Sequence, residues 1–495
     1  MDMTGKRKIL LATIIAGLLL SALLAGAYVL SVRYGDWRAV VPYRNTTRDR
    51  YGIALRTDDR DAHPLLCKRY GMFVKVQWRS GDESIAALDG KNFVTGISRG
   101  ETYIYAEYKG KEVLRLPVYV DRESPEPLGE IADPRFVQDS GTYINHDASA
   151  SNEAVLRFAG DLMCMASLQK AAMTDGVFNF KKFFRHVRPL LWEADFSMGN
   201  LETMLSHTWP YNHELSGRLE APYLNAPPTY LDAVRYAGFD AVSMANNHNA
   251  DVGWTGIVET MEHIKRYSLL NTGLFLSEDD PRYLLVDING IRVAILSYSD
   301  VFNSAPVRKN LSETERTLAL NVYEMSKVKD DVTSAKAKGA EYIIMYIHWG
   351  GQNNTTLTKR QPVVAREMAD AGIDYIIGMH PHVLQKYDVI TAEDGRSVPV
   401  VYSLGNFIGS AGAIILNRDA AILQLELKRG PNGVIQAKDC YIPCFLMQYE
   451  DVPYTLLPCD PELNGGYSFS SLTDAWKRIA DTLGDKISAY QGNAD

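Results

Sequence analysis

The chain has 495 residues, 46% of them apolar, enough for several domains with cores of their own; a disordered protein, a small disulfide-stapled scaffold and a single-domain binding module are excluded. Lys and Arg number 52 against 60 Asp and Glu, a net charge of −8. No basic patch is concentrated enough to match a phosphate backbone, so nucleic acid is excluded as a partner. Five cysteines without a CxxC pair exclude a zinc ribbon or a redox motif. Cys440, Cys444 and Cys459 lie close enough in sequence for one local bridge, or are small buried apolar residues.

At the amino terminus Lys6-Arg7-Lys8 precedes an uncharged run, Ile9–Val32, closed by Arg33. As a helix the run is about 36 Å long, enough to cross a hydrocarbon core of about 30 Å with some tilt. A cleaved signal peptide has an apolar region of only about 7–15 residues. Ala25-Gly26-Ala27 has the small-residue form of a cleavage site, but the length favours an uncleaved, single-pass anchor. Arg33, Arg38, Arg44, Arg48 and Arg50 come after the span and blunt the positive-inside rule. The cluster tight against the span is nevertheless the amino-terminal one, and a large trailing domain translocates regardless of its charge. The expectation is a cytoplasmic tail at 1–8, a membrane anchor at 9–32 and the bulk of the chain outside the cytoplasm.

Residues 33–64 are polar and Arg-rich and read as a juxtamembrane spacer. From 65 to 120, short runs rich in β-branched and aromatic residues (MFVKVQW, FVTGIS, TYIYAEY, VLRLPVYV) alternate with Gly, Asp, Ser and Lys, the pattern of a small all-β sandwich. Trp78 with Ser80, the step Asp82–Ala86, the Gly100-x-x-x-Ile104 step and the closing strand resemble bacterial immunoglobulin-like group 2 domains of cell-surface proteins. Residues 121–152, with Pro125, Pro127 and Pro134, have linker composition. From 153 to 430 strands and helices alternate, the mark of an α/β layer fold. Residues 431–495, with weak strand signals and a helix at SLTDAWKRIADTL, read as a carboxyl-terminal extension.

The functional information lies at the carboxyl end of each apolar strand. AVLRFAG ends in Asp161, DFSMG in Asn200 and Glu202, and FDAVSMA in Asn246-Asn247-His248 with Asp251 close behind. EYIIMYI ends in His348-Trp349, DYIIGM in His380-Pro381-His382, and VVYSLG in Asn406. Parallel α/β sheets bind ligands at the carboxyl ends of their strands. Oxygen and imidazole donors delivered to one edge suit Zn²⁺, Mn²⁺ or Fe rather than a thiolate-loving metal. Each motif alone has a plainer reading as a helix cap or a turn. The joint pattern, with four of the ten histidines just past buried-type strands, favours a metal or polar catalytic site.

Gly160-Asp161, GNLET at Gly199–Thr203, AGFDAVSMANNHNADVG at Ala237–Gly253, HWG at His348–Gly350, GMHPHVLQ at Gly378–Gln385 and YSLGNF at Tyr402–Phe407 resemble the CapA/PgsA family of capsule (poly-γ-glutamate) biosynthesis proteins, in the family's order. The resemblance implies a relative of the calcineurin-like metallophosphoesterases, a four-layer α/β/β/α sandwich with a centre for two divalent metal ions. It implies Asp161, Glu202, Asn247, His348, His380 and His382 as metal ligands, with Asn200 as rival to Glu202 for the bridging position. His248 becomes the proton donor to a leaving oxygen; Asn200, Asp251, Trp349, Gln352 and Asn406 become substrate-contacting or supporting residues. Two departures stand out. Met163 stands where phosphoesterases have a histidine, leaving one metal position a ligand short, and Gln352 stands where the capsule family has a glutamate. Two functions are compatible with this site: a metal-dependent hydrolase or transferase acting near the membrane on an anionic polymer or other cell-envelope substrate, or a non-catalytic subunit that binds or exports polymer. In either case the implied partners are the membrane and other membrane subunits of a capsule synthesis complex.

Overall fold

Alternation of apolar and polar residues builds two separate units, divided between Asp121 and Arg122. The computed structural model describes residues 40–43, 53–60, 63–69, 72–122, 134–145, 151–215, 223–409, 414–449 and 452–490. The expected anchor at Ile9–Val32 lies outside them; among the described residues no helix is long and apolar enough to cross a membrane.

The first unit is all-β. Its largest sheet takes the order Ile53–Leu55, Lys111–Val120, Gly100–Tyr108, Gln77–Ser80. Period two governs the burial: Ile104 of one strand and Leu116, Val118 and Val120 of its partner close a core with Ile53, Leu55, Ala86 and Val94. Composition assigns residues 33–64 to a spacer, yet Ile53–Leu55 pairs in parallel with Val118–Val120; three residues are too few for a period to show.

The second unit stacks two eight-stranded sheets. One runs Phe136–Asp139, Thr142–Asn145, Tyr283–Ile288, Ile291–Ser299, Tyr342–His348, Tyr375–Met379, Ser397–Leu404, Leu384–Thr391. The other runs Leu270–Thr272, Ala241–Ser243, Phe196–Leu201, Glu153–Leu162, Asp419–Arg429, Ile435–Tyr449, Val452–Pro458, with Asn406–Ile408 also paired to Glu153–Leu162. Both inner faces enter one core, Ile295, Ile344 and Ile377 from the first sheet meeting Phe158, Met198 and Leu423 from the second. Alternate residues of the first sheet, Leu296, Met345 and Ile376, point outward onto Val328, Val332, Ala365 and Met368 of the helices Met325–Ala337 and Arg360–Asp370. On the far side of the second sheet, Phe183 packs edge-on against Tyr454, and Ser197 Oγ donates to the Leu191 carbonyl. The result is the α/β/β/α order of layers.

Two stretches join this fold that composition alone assigns elsewhere. The linker-like 121–152 contains the hairpin Phe136–Asp139/Thr142–Asn145, which adds an edge to the first sheet; its preceding prolines mask the signal. The extension 431–495 supplies two strands of the second sheet. Its helix Ser470–Leu483 buries Leu472, Ala475, Ile479 and Leu483 in the shared core. All five cysteines are free. Pro458, not Cys459, lies opposite Cys444, so those two thiols project to opposite faces and the local bridge does not form.

Truncation after Gly430 should abolish folding of the second unit. It removes Phe445, Met447, Leu457, Leu472, Ile479 and Leu483 from the core, each contributing ~1.5–3 kcal/mol, comparable in sum with the ~5–15 kcal/mol that holds a whole domain folded. The expected product is insoluble or lacks a cooperative thermal transition; a soluble fragment melting like the parent would make the stretch an appendage.

Candidate metal centre

The parallel strands of both sheets end where the polar residues begin. Glu153–Leu162 lies in parallel between Phe196–Leu201 and Asn406–Ile408, which places Asn200 on one flank of Asp161 and Asn406 on the other. The Asn406 flank depends on two glycines. A Cβ at Gly160 would lie 1.9 Å from the Gly405 carbonyl oxygen, and Gly405 itself sits at φ +63°. In the first sheet His348 closes its strand opposite Met379, and His380 and His382 come directly after. Both histidines have positive φ, 95° and 58°, a region that costs a β-substituted residue about 1–3 kcal/mol. Asn353 N–H donates to the intervening Pro381 carbonyl at 2.7 Å and helps hold the turn.

Glu202 lies at the middle of the gathered side chains. Its Oε1 is ringed by His382 Nε2 at 3.7 Å and by His348 Nε2 and His248 Nε2 at 3.8 Å each. All three separations exceed a hydrogen bond, and both Glu202 Oε1 and His382 Nε2 are enclosed without any hydrogen-bond partner. On one side Asp161 Oδ1 accepts from Asn200 Nδ2 at 2.8 Å, while its Oδ2 lies 3.0 Å from His382 Nδ1. On the other, His348 Nε2 lies 3.0 Å from both Asn247 Oδ1 and His380 Nδ1. Two overlapping donor sets with metal-like spacing result, Asp161–Glu202–His348 and Glu202–His380–His382, with Glu202 common to both.

The electrostatics are those of a cation site. Burial, then the charge of Asp161, raises the Glu202 carboxyl well above the usual range. Burial, then the neighbouring His380 and His382, pushes His348 well down. Burial and His382 lower His380 to about 4. Imidazole and carboxylate donors gathered in this way match the preferences of borderline divalent ions. A bound cation would satisfy the two orphaned atoms at once, so the residues present fit such an ion.

Beside the cluster, His248 Nδ1 lies 2.7 Å from Asp251 Oδ2, with both residues buried. Burial raises the Asp251 carboxyl, and His248 opposes that rise. Trp349 is spent elsewhere. Its Nε1 donates to the Tyr402 carbonyl and its ring stacks on Tyr402, with 1% of the residue exposed; an indole so covered offers a substrate no face. Gln352 is exposed in a turn. Asn406 Nδ2 donates to the Asn417 carbonyl at 3.2 Å. Met163 is buried, its N–H on the Ile408 carbonyl. One neighbour has no signal in the sequence motifs: Asn303, whose Oδ1 accepts from Asn247 Nδ2 at 3.2 Å. It lies four residues past the strand Ile291–Ser299, whose only conspicuous feature in sequence is the Asn289-Gly290 turn at its other end.

Comparison with known proteins places the chain in a family. The profile described as bacterial capsule synthesis protein PGA_cap matches residues 155–411, more than half of the chain. The chain belongs to that family. It is 31% identical over 257 residues to the capsule biosynthesis protein CapA of Bacillus anthracis, covering 51% of this chain and 59% of that one. It is 27% identical over 294 residues to the PGA biosynthesis protein CapA of Bacillus subtilis, covering 59% and 71%. Less than two thirds of the Bacillus anthracis relative is thus spanned. Among solved structures, the calcineurin-like phosphoesterase YfkN of Bacillus subtilis is similar at 13% identity and a TM-score of 0.34, over 66% of this chain and 96% of that one.

The linkage at Glu202 has a definite sign. A carboxyl whose folded-state pKa is raised contributes stability that is lost as pH rises, because the native state then binds more protons than the unfolded one. His380, lowered to about 4, acts oppositely and loses stability as pH falls below the ordinary histidine range. With metal chelated at pH 8, Glu202→Gln should therefore melt no lower than the parent. Added Mn²⁺ should raise the melting temperature of the parent and leave the variant unmoved. Calorimetry with and without chelator checks this; equal stabilisation of both proteins would remove Glu202 from the centre.

Proposed function

We propose that this protein is a membrane-anchored, extracytoplasmic member of a capsule synthesis system whose centre is a two-metal hydrolase or transferase site for an anionic cell-envelope substrate. The observation that carries the reading is Glu202 Oε1, enclosed, unpartnered and ringed by three imidazole nitrogens. Grouped by their 3.0 Å neighbours, Asp161 and His382 would hold one ion and Asn247, His348 and His380 the other, with Glu202 in reach of both; the two triads of metal-like spacing cross these groups because the cluster is compact. When bound, divalent ions would supply Lewis-acid polarisation of a phosphoryl or acyl oxygen and activation of water. The remaining work falls to the chain. Asp251 accepts from His248 Nδ1–H, fixing the ring so that Nε2 faces the cluster and can pass its proton to a leaving oxygen. Asn200 Nδ2 orients the Asp161 carboxylate. Burial of every one of these side chains keeps water from competing. Ile9–Val32 would anchor the protein, and the small β unit, read as immunoglobulin-like, would act as its spacer. Other membrane subunits of the synthesis complex are the expected partners.

A second reading, a polymer-guiding subunit without turnover, draws on Met163: a buried thioether stands two positions after Asp161, where an imidazole would complete that side's donors.

The two readings separate on variants of the full chain. His380→Ala should lose bound metal, melting temperature and hydrolysis of an activated phosphodiester together. His248→Ala and Asp251→Asn should keep metal and stability, with turnover falling ~10²–10⁴-fold for His248→Ala, the usual effect of losing a proton donor. Metal-loaded parent that turns over no phosphodiester or acyl substrate would favour the guiding subunit; parent that binds no metal would defeat the two-metal centre.

A further inference from the structure

We propose that Asn303 is the residue that hydrogen-bonds an anionic oxygen of the substrate, phosphoryl or carboxylate, through its Nδ2; the proposal rests on the reading of the centre as a metal-loaded substrate site. The loop that carries it is pinned against the centre. Ser299 pairs with His348 across parallel strands, and Asp300 N–H donates to the His348 carbonyl at 2.9 Å. The Asp300 carboxylate takes a two-pronged contact from Arg360, 2.7 Å to Nε and 2.8 Å to the second guanidinium nitrogen. Just beyond Asn303, the helix Ser304–Asn310 is tied to the His248 loop, because Asn310 Nδ2 donates to the carbonyls of Ala250 and Asp251.

Asn303 occupies the position before that helix, where an asparagine side chain ordinarily accepts from a first-turn amide. It makes no such bond. Its Oδ1 instead accepts from Asn247 Nδ2, which turns Asn247 Oδ1 toward His348 Nε2. With Oδ1 committed, Nδ2 is enclosed and has no hydrogen-bond partner, a costly state for an amide donor unless a ligand completes it. The ligand should be an acceptor, and the divalent ions of the proposed centre, with no spare side-chain cation beside them among the described residues, argue for an anionic one. The gathered side chains of the centre are carboxylates, amides and imidazoles, and the guanidinium that reaches this loop, that of Arg360, is already engaged by Asp300. Asn303 Nδ2 is thus a spare donor on a side chain bonded directly to Asn247, and an anion drawn to the bound ions is the acceptor assigned to it.

Asn303→Asp separates this role from simple support of Asn247, since its carboxylate still accepts from Asn247 Nδ2 but has no N–H to give. The full chain, loaded with Mn²⁺ and checked for an unchanged thermal transition, is titrated with inorganic phosphate and separately with acetate. The expected result for Asn303→Asp is the parent's metal content with binding of one anion weakened about ten- to hundredfold or more, the size of a hydrogen bond to a charged group; the anion affected names the substrate class. Asn303→Ser, which cannot reach but folds without added charge, should weaken the same anion. Parental anion affinity in both variants would overturn the proposal, as would a metal-loaded parent that binds neither anion. A parent that takes up no metal would fail earlier, at the centre itself, and take the proposal with it.

Discussion

A buried carboxyl with one oxygen left unpartnered among three imidazoles is the constraint on which the second unit depends. Among the described residues Glu202 has no Lys or Arg in its cluster, and two of the gathered imidazoles, His348 and His380, are driven toward the neutral form by burial and by neighbouring histidines. In a low-dielectric interior such a carboxylate either keeps its proton or requires a cation. The fold tolerates this cost because it is concentrated at one edge of a large apolar core, where two sheets supply nearly continuous buried side chains.

The same edge holds the backbone strain. His380 and His382 sit at positive φ on either side of Pro381. A few residues of sequence thereby present two imidazoles from one strand end, one toward His348 and the other toward Asp161. Gly160 and Gly405 serve the neighbouring strand in a different way. Without side chains they let two backbones close to hydrogen-bonding distance, Asp161 N–H on the Gly405 carbonyl at 2.9 Å, which sets Asp161 and Asn406 side by side. Strain and close approach at a site, carried by a well-packed scaffold, are what a preorganised centre requires.

Much of this is legible in the chain. Parallel strands buried on both faces read as largely apolar runs, so the polar residues that end each run mark the strand's carboxyl edge even where Arg157 or Ser197 interrupts it; Asp161, Glu202, His348 and His380 are all singled out in this way. Family resemblance then assigns them roles. Other features leave weaker traces. Ile53–Leu55 is too short to show a period, and Thr142–Asn145 is half-buried along its length. In the long strand Ile435–Tyr449, charged Lys438 and Asp439 interrupt the apolar pattern. Asn303 is invisible for a different reason: its importance lies in a contact with Asn247 made 56 positions away in sequence, and nothing local distinguishes it from an ordinary helix-capping asparagine. Trp349 shows the converse, since its place beside His348 suggests substrate contact while its ring belongs to the core.

The central claim is that Glu202 is shared between two cations. Anomalous diffraction from crystals of the manganese-loaded protein tests it most directly. The account predicts two anomalous peaks, each within ligand distance of a Glu202 oxygen, one also contacting Asp161 and the other His348. A density map with no peak at Glu202, or with its carboxylate re-paired to protein donors alone, would contradict it.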